Sequence, residues 1–225
     1  RIVQISDLHL TAHRGASLVP RVLDAVQSLA PDILVSTGDL VDSPFEAVRG
    51  YAVALRGLSP PGGRFAVLGN HEYYTGLKQA LAFHEAAGFT LLRGDLIEAA
   101  PGLWLAGVDD PAGSYTRQPH FEDERALAAA RPADGFVLLL KHQPLVSREA
   151  GAWFDLQLSG HTHGGQLFPF GWFLKPIYPW CRGLHKLAPG RWLYVNRGAG
   201  TWGPPMRLLA RPEITLIILE SKRVL

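Results

Sequence analysis

Cysteine is nearly absent: of 225 residues only Cys181 carries a thiol. No internal disulfide framework can therefore staple the fold, and the redox compartment is left open. Cys181 itself reads as a packed or loop residue rather than a nucleophile. Long apolar runs are missing as well: nothing reaches the ~18 uninterrupted apolar residues that a membrane-crossing helix needs. Neither sign of charge dominates, with 22 basic against 20 acidic residues and no basic cluster, so no nucleic-acid partner is expected. Internal repeats and low-complexity linkers are also lacking. A chain of this length is expected to form a single domain, residues 1–225, around one sizeable core. It opens on Arg1 and enters the strand-like RIVQIS at once. That start suggests that preceding residues were cleaved or left off; localisation is left open, a soluble domain that would be exported or membrane-associated if an N-terminal signal or anchor was removed.

What is present is a rhythm. Short runs rich in Val, Ile and Leu read as strands at Ile2–Ile5, Ile33–Val35, Phe65–Leu68, Trp104–Val108, Phe136–Leu140, Leu156–Leu158, Trp192–Val195 and Ile214–Leu219. Between the earlier ones, amphipathic helices are predicted over Leu18–Leu29, Phe45–Leu55, Leu77–Ala87 and Phe121–Ala130. The first half is β-α-β in character, and the second exchanges its helices for loops rich in Gly and Pro. That pattern implies a mixed α/β layered fold rather than a purely doubly wound one.

Chemistry-bearing side chains follow the strands, where open α/β sheets place their sites. SDLHL supplies Asp7 and His9, TGDLVD supplies Asp39 and Asp42, and LGNHEYYTG supplies Asn70 and His71. LKHQP adds His142, and LSGHTHGGQ adds His161 and His163. Residues two apart on an extended segment point the same way, which would let Asp7 and His9, or His161 and His163, face a common side. Carboxylate, imidazole and neutral amide together suit Mn, Fe or Zn rather than thiophilic metals. A single Asp or His after a strand is ordinarily a cap or a satisfied core group; five such strand ends in succession are not.

The blocks DLH, GDLVD, GNHE, HQP and GHTHGG resemble, in order, the motifs of the calcineurin-like metallophosphoesterases. GVDDP and the tail NRGAGTWGPPMRLLARPEI are similar to its YkuE/YaeI-type branch, whose members often carry an N-terminal membrane segment or export signal. The resemblance implies a four-layer αββα sandwich, two mixed β-sheets flanked by helices, with two divalent metal ions, manganese foremost and iron or zinc as alternatives. It assigns Asp7, His9, Asp39 and His163 to one ion, and Asp39 as the bridge, Asn70, His142 and His161 to the other. His71 would lie beside the substrate phosphate, oriented by Asp42. The implied reaction is hydrolysis of a phosphodiester or pyrophosphate by in-line attack of a hydroxide shared between two cations.

Arg197, at the end of a strand, and His13 and Arg14, after the first motif, are candidates for substrate contact. His84, His120 and His185 match no motif. The glycines after His163 permit a sharp turn at the site. Behind them FPFGWFLKPIYPW, Phe168–Trp180, is interrupted by Pro169, Pro176 and Pro179, which predicts a loop or edge rather than a regular helix. Its rings either complete the core or form an exposed lip. A lip suits a lipid-linked substrate, such as the UDP-2,3-diacylglucosamine cleaved by bacterial enzymes of the resembled branch, or contact with a membrane surface. The other readings are a soluble esterase acting on small or cyclic nucleotides, and a metal-binding scaffold without catalysis; the last requires eroded ligands, and none is eroded.

Overall fold

The computed structural model of the chain describes residues 1–121, 123–147 and 153–220. The strands are β1 (Ile2–Ile5), β2 (Ile33–Ser36), β3 (Arg64–Ala66), β4 (Thr90–Leu91), β5 (Asp95–Ala100), β6 (Leu103–Gly107), β7 (Phe136–Leu140), β8 (Leu156–Ser159), β9 (Gly183–Ala188), β10 (Arg191–Val195) and β11 (Thr215–Ile217). The helices are α1 (Gly15–Leu29), α2 (Phe45–Arg56), α3 (Asn70–Thr75), α4 (Leu77–Ala87), α5 (Ala112–Tyr115), α6 (Glu124–Ala129) and α7 (Gly171–Leu174).

Two mixed sheets form. One has the order β11-β1-β2-β3-β4 and the other β5-β6-β7-β8-β10-β9. In each, the inner strands run parallel and an antiparallel strand closes an edge. Parallel strands are buried on both faces and so read as continuous apolar runs; all residues of β1 and β2 are buried. Ile2, Ile33 and Val35 of the first sheet pack against Leu138, Leu140 and Leu158 of the second. Val22, Val48 and Phe83 bring α1, α2 and α4 onto the outer face of the first sheet, while Leu127 of α6, with Trp153 and Phe154, covers the second. The layers are therefore helices, sheet, sheet, helices.

Local chemistry accounts for the departures from the sequence reading. The predicted helix over Phe121–Ala130 is shorter, because Asp123 accepts a hydrogen bond from Arg125 N and caps α6, and because Phe121 N donates to Asp109 instead of joining it; Glu122 lies outside the described residues. The proline-interrupted strip is not loop throughout: one helical turn, α7, fits between Pro169 and Pro176. β5 and β9 went unpredicted because both are edge strands with exposed polar positions.

His84 serves this core. It is fully buried on α4; Nδ1 donates to Ala80 O at 2.8 Å, and Nε2 has no partner among the described residues. Burial pushes its pKa down to about 4, against the hydrogen bond to Ala80. The folded chain therefore keeps this ring neutral while the unfolded chain takes up a proton below its ordinary value of ~6.5. Stability is lost as pH falls from that value toward 4. His84→Leu is expected to spare about 2 kcal/mol of the stability lost between pH 7 and pH 5, read from urea unfolding midpoints at the two pH values. A parallel decline in variant and wild type would overturn it.

Candidate metal centre

The C-terminal ends of β1, β2, β3, β7 and β8 converge on one spot, and every motif residue named above for metal binding is there. Asp7, His9, Asp39, Asn70, His142 and His163 are buried, and His161 is half-buried. Their donor atoms fall into groups: Asp7 with His9 and His163, and Asp39 with His142 and His161. Asn70 joins the second group, with Oδ1 3.0 Å from His161 Nδ1 and 3.1 Å from His142 Nε2. Asp39 also groups with His9 and His71, so its carboxylate lies between the two halves. His161 and His163, two residues apart, thus belong to different halves.

Strand alternation is not what aims these side chains. Asp7 (φ 53°), His9 (47°), Asp39 (54°), His161 (70°) and His163 (51°) all occupy the left-handed region, so the expectation of an extended backbone is corrected. Past its strand each chain crosses over and pairs with its neighbour: Asp7 N donates to Gly38 O and His9 N to Asp39 O, both at 3.0 Å. Each such residue costs about 1–2 kcal/mol, and the surroundings must hold it.

The imidazoles are aimed from behind. Asp42 receives His9 Nδ1 at 3.0 Å and His71 Nδ1 at 2.9 Å, and His142 Nδ1 donates to Thr37 O at 2.7 Å. With the outer nitrogens of His9 and His142 committed as donors, Nε2 of each faces inward; it carries a proton while the ring pairs with Asp39 and would offer a lone pair once a cation displaces that proton. His142 Nε2 meets Asp39 Oδ2 at 3.2 Å, and His9 Nε2 meets His163 Nε2 at 2.9 Å. Imidazole nitrogens and carboxylate oxygens gathered within 4.8 Å of one another in each group are the donor set a divalent cation satisfies, and hard oxygens mixed with imidazole fit the Mn, Fe and Zn group.

Charge reinforces the arrangement. Burial would raise the Asp39 carboxyl, but His142 and then His9 hold it well below the usual carboxylate range. Asp42 is brought down to about 2 by hydrogen bonds from His71 and His9, against burial. His71 is raised, since Asp42 and Asp39 outweigh its burial.

Three residues here were not singled out from the sequence. Glu72, in the GNHE block, is buried, and its carboxylate accepts from Asp39 N, Leu40 N and Gly69 N at 2.7–2.8 Å, tying the loop after β2 to that after β3. Burial and the Asp39 charge push it up to about 7. Arg207 donates to Gly200 O and Arg197 O and lies 3.1 Å from His163 Nδ1. Tyr178 Oη lies 2.8 Å from His161 Nε2. The available signal was membership of the GNHE block for Glu72, a cation beside the apolar Leu208, Leu209 and Ala210 for Arg207, and the lone hydroxylated ring of the strip for Tyr178.

The suggested substrate contacts fare differently. Arg197 is paired with Glu213 at 2.5 Å, Arg14 donates to Thr201 O and Gly203 O, and His13 is exposed; none lines the cleft above the centre. Arg14 instead fixes the loop that presents Trp202. That cleft, about 720 Å³, has His9, Asp39, Asn70, His71, His161 and His163 at its floor. Its walls include Tyr74, Leu167, Phe170, Phe173, Leu174 and Trp202. The strip supplies much of the wall and does not complete the core: Phe168, Phe170, Trp172, Phe173 and Ile177 are 48–72% exposed. Gly165 (φ 85°) turns the chain into it, and a Cβ there would lie 2.4 Å from Gly171 Cα, so the loop closes backbone against backbone.

Residues 1–165 match the family model described as calcineurin-like phosphoesterase. A metallophosphoesterase of Aquifex aeolicus is 44% identical over 99% of this chain and 85% of its own. The metallophosphoesterase YkuE of Bacillus subtilis is 34% identical over 98% and 79%. Several other bacterial relatives are longer, the chain spanning 60% of their length. Among solved structures, a dimetal phosphatase from Danio rerio superposes with a TM-score of 0.59 at 13% identity, covering 88% of this chain and 87% of that one; this likeness concerns the fold.

Gly160, between β8 and His161, allows the loops to meet: a Cβ there would lie 2.0 Å from Ser6 Oγ and 2.3 Å from Asp7 Oδ2. Gly160→Ala is expected to displace Asp7 and lower the divalent metal retained per chain after dialysis, measured by elemental analysis, with the far-ultraviolet circular dichroism of the fold preserved. Undiminished metal content would contradict the packing argument.

Proposed function

The chain belongs to the calcineurin-like phosphoesterase family and is a metal-dependent phosphoester hydrolase; within that class, we propose that it cleaves a phosphodiester or pyrophosphate bond in a substrate carrying a large apolar group. The observation that carries this reading is the cleft itself. Aromatic and aliphatic walls rise directly from a floor of carboxylates and imidazoles, so one ligand must present phosphate below and hydrocarbon above. A lipid-linked phosphoester, with an acylated nucleotide sugar such as UDP-2,3-diacylglucosamine as the named candidate, has that polarity.

In this reading one divalent ion is held by Asp7, His9, Asp39 and His163, and a second by Asp39, Asn70, His142 and His161, manganese being the metal proposed. Bound together, such ions supply charge neutralisation at phosphorus and a water acidified to a nucleophile. The chain's own part is positioning and proton supply. Asp42 holds Nδ1 of His71 and so directs Nε2 toward the cleft; the same carboxylate keeps the ring protonated and ready to donate to the leaving oxygen. Tyr74 and Trp202 flank that ring, with centroids 5.4 and 6.4 Å away.

The rim extends the proposal to where the substrate resides. No Asp or Glu occurs between Asp155 and Glu213, a stretch holding seven Lys and Arg. Exposed Phe170, Trp172 and Phe173 stand beside Lys175. Rings flanked by cations without carboxylates suit an anionic lipid surface. The domain, residues 1–225 as a single unit, would then draw its substrate from the bilayer.

Three outcomes are expected. His71→Ala loses turnover by about 10²–10⁴-fold while retaining its metal in elemental analysis; loss of metal would move His71 into the ligand set. The Mn-loaded protein turns over acylated nucleotide sugars in preference to short diesters and cyclic nucleotides; the reverse preference favours a soluble nucleotide esterase. Sedimentation with phosphatidylcholine vesicles increases when phosphatidylglycerol is included, and the double variant Phe170→Ser, Phe173→Ser abolishes the increase; equal recovery with and without vesicles removes the membrane from the proposal.

A further inference from the structure

Tyr178 belongs to the aromatic strip but does not share in its wall. Its ring is half-buried, packed edge-on against His161 with centroids 4.9 Å apart, and its hydroxyl points inward. Oη lies 2.8 Å from His161 Nε2 and 2.9 Å from Gln143 Oε1. Gln143 is itself buried, and its Nε2 donates to both oxygens of the buried Asp110, at 3.1 and 2.8 Å.

The direction of every proton in this row follows from its far end. A carboxylate only accepts, so Asp110 takes the amide hydrogens of Gln143 and turns Oε1 the other way. Gln143 Oε1 also only accepts, which commits the single hydroxyl proton of Tyr178 to it. What remains at Tyr178 Oη is a lone pair, and facing it His161 Nε2 must carry the proton. His161 Nδ1 is then bare, and it is this atom that stands 3.0 Å from Asn70 Oδ1 and 3.2 Å from His142 Nε2. His9 and His142 are set with Nε2 inward by acceptors behind Nδ1; His161 is the ring for which the row must impose the opposite tautomer.

We infer that Tyr178 is a positioning residue that holds His161 in the tautomer and orientation needed to ligate a divalent cation through Nδ1, with Gln143 and Asp110 fixing the polarity of the row. The inference rests on the reading of His161 as a metal ligand. The strip thereby acts twice, since the segment that carries Phe170 and Phe173 into the cleft also steadies one ligand of the centre.

Tyr178→Phe keeps the ring and removes only the hydroxyl, which accepts from His161 and donates to Gln143. Titration of the metal-free protein with Mn²⁺, followed by chelator competition, is expected to show one of two sites weakened by about 10–100-fold, the other unchanged, and the thermal midpoint of the metal-free protein unmoved. His161→Ala is the companion variant and is expected to weaken a single site at least as much. If Tyr178→Phe binds both ions as the wild type does while His161→Ala loses one, the positioning role is refuted and the ligand reading stands. If His161→Ala retains both, the ligand reading itself fails. Equal weakening of both sites in Tyr178→Phe, or a lowered thermal midpoint, would reduce Tyr178 to general packing.

Discussion

The buried Asp39 carboxylate is the constraint on which the rest of the molecule depends. It is 2% exposed, far from the solvent that would ordinarily stabilise it, and it remains an anion because His142 stands 3.2 Å and His9 3.7 Å away with His71 N donating to Oδ1 at 2.9 Å. A buried charge is tolerated only when paired and hydrogen-bonded. The partners come from the ends of β1, β3 and β7, on both sheets, so the charge is housed at the end of the sandwich where the C-terminal ends of these strands come together. Asp39 and its neighbours Asp7 and His9 also adopt left-handed backbone, which persists only where surroundings over-determine it. Glu72 provides that determination by accepting the amides of Asp39, Leu40 and Gly69, and Arg207 does the same for the carbonyls around Gly198–Gly200.

A polar seam connects this centre to the sandwich. Gln4 of β1 donates to Thr37 Oγ1 and across to Ser159 O of β8. Thr37 donates to Ser6 Oγ, and Ser6 Oγ to Asp7 Oδ2 at 2.5 Å. Most of the contact between sheets is apolar and non-directional; these hydrogen bonds, with those linking Thr215 on β11 to Asn196 and Tyr194 at β10, fix their offset. That offset sets where His161 and His163, on the second sheet, stand relative to Asp7 and His9 on the first. Folding and site assembly are in this sense one event.

Much of this was legible in the sequence, and for definite reasons. β1, β2 and β7 were readable because parallel strands buried on both faces leave uninterrupted Val, Ile and Leu. The motif residues were readable because strand ends converge, so that Asp7, Asp39, Asn70, His142 and His161 had to approach one another. The means of approach was not readable: left-handed φ at Asp7 or His163 leaves no trace in residue type, where strand alternation was the simpler expectation. Arg197, His13 and Arg14 stand apart from the cleft lining. Adjacency to a motif along the chain does not fix the side on which a long cation leaves the backbone, and Glu213 and the carbonyls of Thr201 and Gly203 are nearer partners. Tyr178 was hidden by its company, since six apolar neighbours made its hydroxyl look incidental.

The division between floor and wall carries the last step. Floor residues sit at strand ends, tied by backbone pairing and the Glu72 carboxylate, so their spacing is insensitive to what is bound above. Apart from Tyr74 on α3, wall residues sit on the segment from Leu167 through the short turn α7 and on the loop carrying Trp202, which Gln166 holds through Trp202 N and O at 2.9 and 2.7 Å. Such segments tolerate change without disturbing the sheets, and binding specificity resides in sites grafted onto a fold rather than in the fold itself. On the proposed reading, substrate preference would shift through Phe170, Phe173 or Trp202 while the reaction is conserved. The exception in the strip is Tyr178, which stands outside the wall and touches His161 at the floor; a change there bears on the centre itself.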